Sequence, residues 1–290
     1  MSNVPVAAVV CAFIAALGFA VAAVAQQRAA AQVPAGAAFL AGLMRSPRWW
    51  AGIVGDGGAF FFQIVALALG SVLIVQPILV SSLIFALPLA ARYNDVPVTR
   101  VAWAYAIALS IALACFLIVG DPSAGVRDAP WARWMGPLSL VLGLVVAAVA
   151  AAALVPVTGL RAMLLGVAAG LLFGVSAALT QHVVELFGDG VGAALSSWEL
   201  YTMVGSGLLG LYLQQRAYQV GALSASLPAF TVAEPLGAMF LGLTVLEERL
   251  NTGPVGITVV AVSVVVMCVA AVQLSRVQAQ GALPEPERVG

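Results

Sequence analysis

Apolar residues in this chain gather into long runs separated by short polar links, and each run approaches the ~20 residues a helix needs to cross a bilayer. Nine such runs can be placed, at 4–25, 48–70, 72–91, 100–119, 135–155, 160–181, 193–213, 221–246 and 254–273. The pattern predicts an all-α polytopic membrane protein of about nine transmembrane helices. In the first run, Ala23-Val24-Ala25 mimics a signal-cleavage site. No basic residue precedes that run and Arg28 follows it, which suits an uncleaved anchor better. Residues 26–47 form a linker around Pro34, in which the apolar piece 35–44 is too short to span; it reads as an interfacial or partial tenth helix. After Arg276 the tail, with Pro284-Glu285-Pro286-Glu287, reads as disordered.

Composition sharpens this. The chain is 63% hydrophobic and 8% charged, with a mean hydropathy of +1.09, against about 25% charge in a soluble domain. A net charge of zero argues against nucleic acid as a partner. All 12 basic residues are arginine, and nine of them fall in the tail and in the links after odd-numbered runs. Arginine concentrates on the cytoplasmic side, so an inner-membrane protein with an outside N-terminus and a cytoplasmic C-terminus is expected. Cys11, Cys115 and Cys268 lie in apolar runs without paired spacing, which excludes a disulfide framework.

Scarce residues recur in order. Gln63, Gly70 and Pro77 return 151 positions later as Gln214, Gly221 and Pro228; Arg92, Asn94 and Pro97 return 157 positions later as Arg249, Asn251 and Pro254. The repeated unit has four crossings with a fifth as connector: a first repeat over 1–120, an outer loop and connector over 121–158, a second repeat over 159–274 and a tail over 275–290. An offset of five crossings turns the second copy upside down. Many secondary transporters share that plan, with the site at the repeat interface near the midplane.

Chemistry-bearing residues inside the runs are few. Glu234-Pro235 sits near the middle of the eighth run, where a carboxylate costs about 2.5–3.5 kcal/mol on insertion scales. Pro235, Pro77 and Pro228 each remove a backbone donor and are candidate helix breaks. Asp56, within Gly55-Asp56-Gly57-Gly58, lies about 12 Å into the second run. Gln63, seven residues on, shares its face. With Ser81 and Ser82 these residues could form a wet, oxygen-rich site for a hard cation, Asp56 and Glu234 being its metal ligands. The same carboxylates would serve a proton-coupled exporter. The bland reading of either acid is a buried, protonated structural group. Trp198-Glu199 reads as an interfacial anchor, His182 as a boundary residue closing the sixth run, and Trp131 and Trp134 as an aromatic belt. Gly166, Gly170 and Gly174 make a close-packing face. No nucleophile–base pair or phosphate loop is present, so neither catalysis nor a cofactor is expected.

Three features together resemble a known family: Trp49-Trp50-Ala51-Gly52 opening the second run after a basic linker, the tight Gly70–Pro77 link, and Glu248-Arg249-Leu250-Asn251 closing the eighth. Their order and spacing are similar to the drug/metabolite transporter (EamA-like) superfamily, in its NIPA-type branch, over residues 5–273. The resemblance implies a nine- or ten-helix transporter, and the branch implies magnesium as substrate. The first repeat departs from it, with Ala91-Arg92-Tyr93-Asn94 in place of the acidic signature, as does Phe60 where the branch implies an acid. The expected partners are therefore a small solute or cation and the lipid bilayer, with a homodimer as a further arrangement. The rival readings are a proton-coupled exporter of an organic metabolite and a non-transporting membrane scaffold.

Overall fold

The computed structural model of the chain describes residues 5–31, 45–94, 98–126, 129–220 and 223–281. The partial helix expected at 35–44 and the tail beyond 281 lie outside them. In chain order the elements are α1 (Val6–Ala31), α2 (Pro47–Leu69), α3 (Val72–Val80), α4 (Ser82–Asn94), α5 (Arg100–Gly120), β1 (Pro122–Ser123), α6 (Trp131–Leu154), α7 (Thr158–Asp189), α8 (Val191–Ser196), α9 (Trp198–Val220), α10 (Leu223–Thr244), β2 (Arg249–Leu250) and α11 (Pro254–Gly281). Side chains fix several of the starts. Ser46 accepts from Trp49 N–H with Pro47 in the first turn, Ser71 accepts from Ile74 N–H, and Thr99 accepts from Ala102 N–H; such caps satisfy donors that a helix start leaves open.

Among the described residues, eight helices are long and apolar enough to cross a membrane, α3 and α4 counting as one crossing over Val72–Leu89. The seventh expected run forms α9, equally long but with Gln214, Gln215, Arg216 and Gln219 in its last turns, and it does not reach that apolarity. Helix ends differ from the expected runs where polar residues continue a helix. α7 extends through His182 and Glu185 to Asp189, and α11 passes Arg276 to reach Gly281.

Two crossings carry the core. All nine residues of α3 are buried, and so is half of α7. Around α3 pack α1 and α10; against α7 pack α10, α9 and α6, and α11 lies along α5. Small residues set the spacing, as expected where lipid offers no hydrophobic drive to helix pairing. A methyl added at Gly18 of α1 would lie 2.8 Å from Ala59 Cβ on α2. The Gly166, Gly170 and Gly174 face of α7 meets the backbone of α10 directly: added methyls would lie 2.6 Å from Ser226 O, 2.7 Å from Phe230 O and 2.8 Å from Glu234 O.

The helix ends alternate. Ala8 of α1 touches Gly70, which joins α2 to α3, and Gln181 of α7 donates from Nε2 to the Gly70 carbonyl. The link after α5 pairs with the link after α10 in a two-residue antiparallel ladder, Pro122 opposite Leu250 and Ser123 opposite Arg249. One end of the bundle thus gathers the starts of α1, α3, α6, α9 and α11 and the ends of α2, α5, α7 and α10.

Candidate functional site

That gathered end is built on Glu248. Its Oε1 accepts from Val72 N–H at 2.7 Å and its Oε2 from Leu73 N–H at 2.8 Å, across 176 residues of sequence. With Ser71 taking Ile74 N–H, the first donors of α3 are satisfied, two of them by a side chain from the other half of the chain. The Coulomb field of the helix start favours an anion there. Burial pushes the Glu248 carboxyl up to about 7, against the downward pull of the Leu73 and Val72 N–H groups. Glu247, held in the left-handed region at φ 53°, turns the chain so that Glu248 faces α3, and itself pairs with Arg133 at 3.1 Å. Val126 N–H donates to Leu246 O at 2.6 Å, and Asn251 Nδ2 donates to Asp121 O at 3.1 Å. Gly125 lies so close to the Leu246 carbonyl that a side chain has no room. Every residue from Glu247 to Asn251 is therefore engaged in holding helix ends together.

Two readings of single residues are corrected here. His182 does not close its helix; it stands inside α7, largely buried, 3.7 Å from Glu199 of α9. Trp134 is not in an outer belt but fully buried in α6. Trp131 and Trp134 both stack edge-on against Trp198, at 4.6 and 5.8 Å between ring centroids.

Mid-bundle the arrangement is different. Asp56, Ala59, Gln63 and Ala66 form one stripe along α2, with Gln63 buried and Asp56 half-buried. Methyls added at Gly57 or Gly58 would meet nothing within 4 Å, so the chain beside Asp56 faces open space. Glu234 has its backbone pressed against Gly170 and Gly174, so α10 cannot shift at this level without α7. Its side chain lies deep among the helices yet keeps accessible surface, and Asp56 is close enough to act on it electrostatically. Two carboxylates on two helices thus lie within electrostatic reach of each other.

The prolines do less than expected. α10 passes Pro228 and Pro235 without interruption, and α3 passes Pro77. The break in that crossing comes at Ser81, whose N–H bonds Ile78 O at 2.9 Å in a tightened turn. Ser81 is buried with its Oγ unpartnered, and Ser82 begins α4 half-buried. Gln76, which the sequence did not single out, is buried on α3 with Nε2 also unpartnered. Between Pro77 and Pro235 lies a cavity of about 20 Å³, lined by Phe116, Val232, Met239 and Met267 among others. It is apolar and has space for one water at most, so it is not a solute chamber. Among the described residues no cluster of three or more His, Cys, Asp or Glu exists that could hold a metal ion.

The chain is 36% identical over 234 residues to a protein of Corynebacterium glutamicum described as uncharacterized, a match covering 80% of this chain and 81% of that one. No established family profile matches the chain. No solved structure matches it either.

Proposed function

We propose that this chain, which belongs to the same family as that uncharacterized protein of Corynebacterium glutamicum, is a secondary membrane carrier of a small solute. The observation that carries the reading is that Asp56 and Glu234, each half-buried, act on each other electrostatically from α2 and α10. An acid within a membrane-spanning helix is costly and marks ion or substrate pathways. Two of them within electrostatic reach of each other repel when both are ionised, and a cation or a proton taken up there removes the repulsion. Gln63 lies on the Asp56 stripe and supplies a further oxygen. Two carboxylates and an amide make a sparse site, suited to a cation that keeps part of its water; magnesium is the one the NIPA-type resemblance implies.

The carrier is an inverted repeat in this reading, α1–α5 against α7–α11 with α6 as connector. Two pairings agree with it. α1 lies on α2 through Gly18 and Ala59, as α7 lies on α9 through Ala169 and Gly210, and the two final helices α5 and α11 pack against each other. The gathered end is the outer one, which leaves the arginine-rich links and the C-terminus in the cytoplasm of an inner-membrane protein. A proton-coupled exporter is the second reading, favoured by the electrostatic coupling of the two acids, since one proton taken up by either relieves it.

Proteoliposomes offered magnesium, other divalent cations and small organic cations, with and without a pH gradient, separate the readings. Gradient-independent magnesium uptake above that of empty liposomes supports the cation carrier. Flux of an organic solute only under a pH gradient supports the exporter. No flux of any solute under either condition overturns the proposal of transport.

A further inference from the structure

Away from the acid pair, a groove of about 790 Å³ opens between α6, α7, α10 and α11. Its walls include Leu160, Val167 and Leu171 on α7 and Ala229, Val232 and Leu236 on α10. It is within the range of small-molecule sites, about 300–1,000 Å³. Leu160, Met163, Leu144 and Leu236 are each well exposed along it, so it opens sideways to the surroundings of the bundle and not into the repeat interface. Along α7 the lining runs from Gly159 to Leu171 and along α10 from Ala225 to Leu236, eleven or twelve residue steps each. Eleven residues of helix rise about 16 Å, close to half of the ~30 Å hydrocarbon thickness. That length matches one leaflet.

Its polarity is graded. The lining includes one ionisable side chain, Arg276, at the end where α7 begins and α11 approaches its finish. Arg161, in the first turn of α7, adds a second positive charge at that end, and its buried Nε has no hydrogen-bond partner. α7 itself starts at Thr158, with Val157 at the cap position and no side-chain cap, so its first N–H groups and the positive end of its dipole are turned toward the same level. No Asp or Glu lines the groove.

We infer that this groove holds one anionic phospholipid of the surrounding leaflet, its phosphate at Arg276 and the start of α7 and an acyl chain along Val167, Leu171, Val232 and Leu236. Charge complementarity at the mouth and a length that matches one leaflet select this occupant over a solute crossing the membrane. On the arginine-based orientation the leaflet is the cytoplasmic one, whose surface is rich in anionic lipid.

Native mass spectrometry of the full chain in mild detergent tests this, with phosphatidylglycerol and phosphatidylcholine of identical acyl chains titrated as probes. The wild type should bind one phosphatidylglycerol with preference over phosphatidylcholine. Arg276→Gln should cut that preference about fivefold, the effect of one basic residue near an anionic surface. Ala229→Phe and Val167→Phe fill the groove and should lose the bound lipid of both kinds while eluting as folded protein; two are used so that one misfolded variant leaves the test standing. Equal binding of the two lipids by the wild type, or an unchanged preference in Arg276→Gln, overturns the inference. So does displacement of phosphatidylglycerol by equimolar oleate, which points to a free amphiphile. A dimer that a groove-filling variant abolishes overturns it as well, since the occupant is then a second copy.

Discussion

Acidic residues occur in two settings in this bundle. At the gathered end, Glu248 meets two backbone N–H groups and Glu247 meets Arg133. At mid-bundle, Glu234 lies within electrostatic reach of another carboxylate, Asp56, which stands beside glycines that face open space. The first setting supplies each acid with donors of its own, and the acids serve to join helix ends. The second sets one carboxylate within electrostatic reach of another. Burial alone does not separate the two roles, because Glu248 is the more buried of the two. What surrounds each carboxylate does.

The comparison can be broken in order of expected effect. Gly170→Val should be the most damaging change, because its Cβ would lie 2.7 Å from Phe230 O and 2.9 Å from Glu234 N, backbone atoms that cannot swing aside. A loss of at least about 4 kcal/mol, at the exceptional end for point changes, is expected, read as the absence of monodisperse protein in detergent. Next comes Glu248→Ala, which strips acceptors from Val72 and Leu73 N–H. It should cost roughly 3 kcal/mol, seen as a lowered thermal midpoint. Smaller is a pH effect. Since the Glu248 carboxyl is pushed above 4.5 to about 7, the folded state holds its proton more tightly than the unfolded chain. This contribution to stability is fully present below the unfolded value and lost as pH rises through about 7. Wild type minus Glu248→Gln should show a midpoint difference that shrinks between about pH 5 and about pH 8; a difference independent of pH would contradict that protonation. Smallest is Arg133→Gln. Its partner Glu247 is substantially exposed, so the change should shift stability by no more than about 1 kcal/mol, and a larger loss would show the pair to be integral to the gathered end.

Eight of the nine expected runs were legible as apolar helices long enough to cross a membrane, because the signal is carried by every residue of a run. Asp56 and Gln63 on one face, and the glycine face of α7, followed from helical periodicity, which is local. What was not legible depends on partners distant in sequence. Nothing near Glu248 shows that it reaches Val72 and Leu73, and its signature reads on its own as a polar helix end. His182 read as a boundary because Gln181 and His182 end the apolar run, whereas the helix continues to Asp189 and brings His182 to Glu199. Pro235 read as a break because a proline deletes one bond, yet α10 continues through it while clamped along α7 by three glycines. The groove beside Arg276 had no sequence signal, since its walls come from four helices distant from one another in sequence.

The most direct test of the central claim places two isosteric changes side by side in proteoliposomes, Glu234→Gln and Glu248→Gln, with flux and thermal midpoint measured on each for the solute that the wild type carries. Glu234→Gln removes the ionisable charge while keeping shape and hydrogen bonding. It should abolish flux with the midpoint nearly unchanged. Glu248→Gln should lower the midpoint, because an amide oxygen accepts only part of what the carboxylate did, and should leave flux per folded molecule largely intact. Undiminished flux through Glu234→Gln, at wild-type rates, would contradict the account and reduce Glu234 to a structural group like its counterpart at the gathered end.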